Sequence, residues 1–88
     1  MEFLICPACG SRNVHHTKVE IFDRKEDMDG LHVTVQGVSV KVDTDFTDNP
    51  SLRRGGLVIH FTCEECTGDF ECNILQHKGQ TVVDMKQR

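Results

Sequence analysis

Two short stretches decide how this chain of 88 residues folds: CPACG, Cys6–Gly10, and CEECTG, Cys63–Gly68. Each carries a Cys-x-x-Cys pair, and 53 residues separate Cys9 from Cys63. A Cys-x-x-Cys turn sets two thiolates on one side of a tight loop. Its backbone amides point at the sulfurs and soften their charge. In CPACG, Pro7 presets φ for the turn, and Gly10 can take the left-handed conformation that follows the second cysteine. Two such turns facing each other make a tetrahedral four-sulfur site, which suits Zn²⁺. With all four positions filled by protein, no place remains for water, so one structural ion is expected. Iron is the alternative metal. A dithiol redox site is a third reading, but neither pair is followed by a helical pattern.

The two pairs, each at the end of a strand pattern and followed by a hairpin pattern, resemble the knuckles of the zinc-ribbon family. The resemblance covers residues 2–12 and 57–85 and is strongest at the CPxCG knuckle. It implies a small β-domain whose metal joins two hairpins, with Cys6, Cys9, Cys63 and Cys66 as ligands. Two features depart from the pattern. The second knuckle lacks the proline and delays its glycine to Gly68. The spacing between the pairs also exceeds the ~15–20 residues common in such sites. An inserted antiparallel hairpin accounts for that distance, because its ends return to the same place.

The rest of the chain reads as all-β, with five or six strands in a single domain. Residues 13–26 and 31–46 are expected to form the long inserted hairpin, turning at Asp27–Gly30 with Gly30 at positive φ. The valines of the returning strand change phase at Gln36–Gly37. A β-bulge there would gather Val33, Val35, Val38, Val40 and Val42 on one face. Residues 47–56, rich in Asn-Pro and Gly-Gly punctuation, are expected to be a loop. LVIHFTC, DFECNILQ and TVVDMKQ are expected strands, with HKGQ as a turn.

Composition narrows the function. A chain this short buries little core and gains from a metal staple. The start MEFLICPACG shows no signal-peptide pattern and no stretch approaches a membrane span, so a reducing, cytoplasmic setting is expected. The formal net charge is −4, and four thiolates on one dication would make it more negative. Residues 20–48 carry eight acids against three bases. A general polyanion binder is therefore not expected. Arg53 and Arg54, with Lys78 in the HKGQ turn, form the one modest basic patch. Cys72, in phase with Phe70 and Ile74, reads as a small core residue. The histidines, among them adjacent His15 and His16, with His60 and His77, read as solvated residues without a catalytic constellation.

The function expected is a non-enzymatic, zinc-stabilised binding module. Its partner would be a protein or a second copy, met through the valine face of the hairpin. The alternative is a nucleic-acid-binding zinc ribbon, an accessory of transcription or replication, using the Arg53–Arg54 loop. The absence of Tyr and Trp counts against base stacking, unless Phe22, Phe46, Phe61 or Phe70 substitute.

Overall fold

A computed structural model describes residues 2–87. It contains β1 (Val14–Asp23), β2 (Leu31–Gln36), β3 (Ser39–Asp43), β4 (Gly56–Cys63), β5 (Asp69–His77) and β6 (Gln80–Gln87). All six lie in one antiparallel sheet of order β3-β2-β1-β4-β5-β6. No helix occurs among the described residues, so none is long and apolar enough to cross a membrane. The all-β class expected from the alternating pattern is what forms.

The architecture is two three-stranded meanders joined edge to edge by β1 and β4. This junction resolves the long gap between the cysteine pairs. The first knuckle runs into β1, and β4 runs into the second knuckle. Val14 sits opposite Cys63 in the β1–β4 register, so antiparallel pairing closes the distance.

Three details of the expected hairpin are corrected. Residues 31–46 do not form one bulged strand. They divide into β2 and β3 around a two-residue turn, Gly37-Val38, between the paired Gln36 and Ser39. Gly37, at φ 60°, supplies the positive φ that tight hairpin turns demand. Four valines still share a face, while Val38 stands in the turn, fully exposed. The sheet irregularity lies instead in β1, where the register with β4 shifts between His16 and Lys18. Finally, the left-handed residue of the first turn is Asp27, at φ 54°, and not Gly30. Gly30 serves a close approach: a Cβ there would lie 2.1 Å from the Asp23 carbonyl oxygen.

The β5–β6 hairpin follows expectation. Lys78 and Gly79 take φ values of 51° and 79°, as in a type I′ turn.

The segment between β3 and β4 folds over one face of the sheet. Phe46 packs edge-on against Phe22, whose ring also stacks on His32 at 4.2 Å. The Arg24 guanidinium lies over Phe46 and donates to the Leu52 and Arg54 carbonyls. Ser51, buried, donates to the Gln76 carbonyl at 2.9 Å. A second small core of Cys6, Cys63 and Phe70, flanked by Val14 and Phe61, forms at the cysteine end.

The two faces differ sharply. Under the loop lie Glu20, Phe22, His32, Val58, His60 and Asn73, all buried. The opposite face carries two continuous rows that cross all six strands. One row is Val42, Val33, Ile21, Leu57, Ile74 and Val83. The next is Val40, Val35, Val19, Ile59, Cys72 and Met85. No charged residue interrupts either row; exposure is greatest at Val40, Val42 and Val83 on the two edge strands, while the central members are half-buried and Cys72 is buried.

Candidate metal centre

The two knuckles share one hydrogen-bond plan. In the first, the Cys6 amide donates to the Ser11 carbonyl at 2.8 Å and the Gly10 amide to the Cys6 carbonyl at 2.9 Å. In the second, the Cys63 amide donates to Gly68 at 3.0 Å and the Thr67 amide to Cys63 at 3.1 Å. Gly10 takes φ 78° as the sequence suggests. Its counterpart is Thr67, which takes φ 55°. A β-branched residue is strained there, so the delayed glycine of CEECTG leaves the knuckle intact at a local cost. Gly68 follows it, and a Cβ there would make a tight contact of 3.3 Å with the Cys66 sulfur.

Cross-links fix the knuckles to each other. The Glu64 amide donates to the Asn13 carbonyl, and Asn13 Nδ2 donates to Glu65 Oε1. The sulfurs of Cys6, Cys9, Cys63 and Cys66 all lie within 4.8 Å of one another. Cys6 and Cys66 are 3.6 Å apart, as are Cys9 and Cys63. Four sulfurs at ~2.3 Å from one ion would be separated by ~3.8 Å, so the quartet fits a tetrahedral metal. A disulfide would need ~2.05 Å, and all five cysteines are free thiols. Cys72 lies outside the quartet, buried in the sheet.

The thiols divide by environment. The Cys9 amide, and then the Ala8 amide, donate toward Cys6 and hold it at about 7 against the opposing effect of burial. The Cys66 and Glu65 amides likewise lower Cys63. At Cys9 the Ser11 amide works downward, but burial and the neighbouring thiols Cys63, Cys66 and Cys6 outweigh it, pushing it up to about 12. At Cys66 the Gly68 amide is likewise outweighed, chiefly by Cys6. Backbone amides thus lower Cys6 and Cys63, while burial and neighbouring thiols raise Cys9, and Cys6 chiefly raises Cys66. A bound cation would stabilise all four thiolates together.

The cluster is compatible with the zinc-ribbon-like centre expected from the knuckles. No family model, curated protein or solved structure matches the chain. The resemblance therefore rests on the knuckles and their geometry.

Arg53, Arg54 and Lys78 do come together, lining one small cavity of about 160 Å³ with Glu26 and His77. The two arginines are paired locally. Arg53 pairs with both Asp27 and Glu26, and Arg54 pairs with Glu26 at 2.9 Å. The bidentate Arg53–Asp27 pair also holds the Asp27 carboxyl below its usual range.

Sequence reasoning missed a polar row on the covered face. His32 and His60 are buried, contrary to the expectation of solvated strand histidines. Glu20 bridges them, with Oε1 3.0 Å from His32 Nε2 and Oε2 2.7 Å from His60 Nε2. Asp43 Oδ1 lies 2.8 Å from His32 Nδ1, and Glu71 lies 3.6 Å from His60 Nδ1. Five residues on five neighbouring strands thus form one chain of acids and histidines. Burial works to raise the Glu20 pKa, but hydrogen bonds from His60 and His32 outweigh it and lower the value. Beside this row is a polar cleft of about 560 Å³, walled by Lys18, Glu71, Asn73 and Lys86. Asn73 Oδ1 is buried there without a partner, a position suited to an ordered water.

Proposed function

We propose that the chain is a non-enzymatic, zinc-stapled module that binds another protein through the open face of its sheet. The observation that carries this is the pair of apolar rows. An ordinary domain covers such a face with a second layer, and contiguous exposed apolar surface of this extent marks an interaction site. The metal centre supports the same reading. Its four cysteines close the coordination sphere, so the ion would hold the knuckles together and offer no open position for substrate. Zinc is preferred to iron because the aromatic residues usual around iron-binding knuckles are scarce in a chain without Tyr or Trp.

The surface proposed is wider than the hairpin valines alone. It draws equally on β4, β5 and β6. The nucleic-acid alternative is not favoured, because Arg53 and Arg54 are already neutralised by Asp27 and Glu26.

The test is photo-crosslinking in cells producing the full chain. A photoreactive residue replaces Val35 on the open face or Lys41 on the opposite side. Protein adducts are expected from Val35 and not from Lys41. Folded protein that yields no adduct from Val35, or equal adducts from both positions, would overturn the reading.

A further inference from the structure

We infer that the polar cleft on the covered face binds a small zwitterion, a molecule of the α-amino acid type carrying an ammonium and a carboxylate. This site is separate from the apolar face and does not rest on the binding-module reading.

The sheet itself builds the cleft. Lys18, His60, Glu71 and Lys86 stand in register across β1, β4, β5 and β6, and Glu20, Val58 and Asn73 make the next row on the same face. Residues 47–50 of the segment between β3 and β4 supply the facing wall. The volume of about 560 Å³ falls within the roughly 300–1,000 Å³ of ordinary ligand sites.

Much of the polar lining is already spent. Glu20 and His60 hold each other. Asn49 donates to the Arg54 carbonyl and accepts from the Ser51 amide, and Thr47 donates to Asp45. Other groups are left over. Among the described residues, Lys18, Lys86 and Asp48 make no hydrogen bond or ion pair. Asn73 lines the cleft, is only 7 % exposed, and its Oδ1 is buried with no partner. A buried amide oxygen left unpaired costs free energy, so its place at the cleft points to a donor that enters from solution.

The unspent groups define that donor. Two ammoniums call for an anionic group, which a simple cation lacks. The Asp48 carboxylate and the Asn73 oxygen call for N–H donors, which a simple anion lacks. A zwitterion meets both needs. Its ammonium serves Asn73 Oδ1 and Asp48, and its carboxylate serves Lys18 or Lys86, through charge-assisted hydrogen bonds. No Phe ring lines the cleft, so a nucleobase finds no stacking platform. Only Val58 and Pro50 are apolar there, so an apolar ligand gains little.

Amide-resolved NMR of the zinc-loaded full chain tests this. Each of the standard amino acids is titrated in turn at fixed pH and ionic strength. Acetate and methylammonium, which carry the two charges on separate molecules, serve as controls. At least one amino acid should give saturable shifts centred on Lys18, Asn73 and Lys86, and neither control should match its affinity. Lys18→Met combined with Asn73→Leu should raise the dissociation constant by about 10-fold or more. Should that variant misfold, Lys86→Ala on the exposed edge strand serves, with a smaller rise of the same sign. No saturable shift from any amino acid would mean that the cleft holds water only, and overturns the inference. Acetate binding as tightly as the best amino acid would make the cleft a simple anion site and overturns the zwitterion. Shifts centred elsewhere, or affinity indifferent to these substitutions, overturn the place.

Discussion

One face of this sheet is polar and buried, the other apolar and bare. The covered face holds Glu20, His32, His60 and Asn73 beneath the loop that carries Phe46. The other face holds twelve apolar residues in two unbroken rows, most of them partly exposed and Cys72 buried. Burial within the single chain therefore does not follow hydrophobicity. A covered polar face can persist because its acids and histidines satisfy one another: Glu20 lies between His32 and His60, and Asp43 takes the far side of His32, although Asn73 Oδ1 has no protein partner. An apolar face has no such internal remedy, which is the basis of the proposed partner surface. A metal bound by the four cysteines would join the two knuckles at the end of the sheet.

The largest expected effect comes from removing the staple, on which both faces depend. Cys66→Ser should cost several kcal/mol and abolish stoichiometric zinc binding. Metal analysis and thermal unfolding would show it. Cys72→Ser, on the bare face and outside the quartet, should retain zinc and cost only about 1 kcal/mol. Equal losses in the two variants would refute the ligand assignment.

Next comes the covered face. Glu20→Ala leaves His32 and His60 buried without their shared acceptor and should lower stability by about 3 kcal/mol. Chemical denaturation measures it. A loss under about 0.5 kcal/mol, the scale of an ordinary surface change, would mean the polar row is incidental.

Acid should reveal the same network. The Glu20 carboxyl falls below its ordinary 4.5 in the folded chain. Asp43 is lowered as well, first by the Asp45 amide and then by His32. A depressed carboxyl contributes stability that is fully present above its unfolded value and is lost as pH falls through its folded value. Melting temperature should therefore drop as pH falls below about 4.5. The drop should be smaller in Glu20→Gln, a comparison in which acid release of the metal is common to both proteins. Parallel pH profiles would remove Glu20 from the account.

The smallest effect distinguishes the two knuckles. Thr67→Gly relieves a β-branched residue at φ 55° and should stabilise by about 0.5–1 kcal/mol, net of the added freedom of the unfolded chain. Gly10→Ala should destabilise by about 1 kcal/mol, although its Cβ would meet nothing within 4 Å, because the penalty there is purely conformational. No change in either variant would mean the knuckle backbones relax freely.

What could be read beforehand follows the range of each interaction. The cysteine quartet and the all-β class were legible because Cys-x-x-Cys turns and two-residue alternation are local signals. The Lys78-Gly79 hairpin was legible for the same reason. The sorting of faces was not. Alternation places Glu20 with Phe22 on one side of β1, but only register sets Glu20 beside both His32 and His60. On the β4 side the register shifts between His16 and Lys18, with no glycine or proline to announce it. Gly37 announced a backbone feature correctly, yet a tight turn and a bulge share the same signal. Had the loop been placed over the polar side, the two histidines would have been recognised as buried.

The most direct test of the structural, closed metal centre is zinc-edge X-ray absorption on the loaded protein. The account predicts four sulfur neighbours at ~2.3 Å and no lighter ligand. Fewer than four sulfurs, or an oxygen or nitrogen completing the sphere, would contradict it and open the site to chemistry.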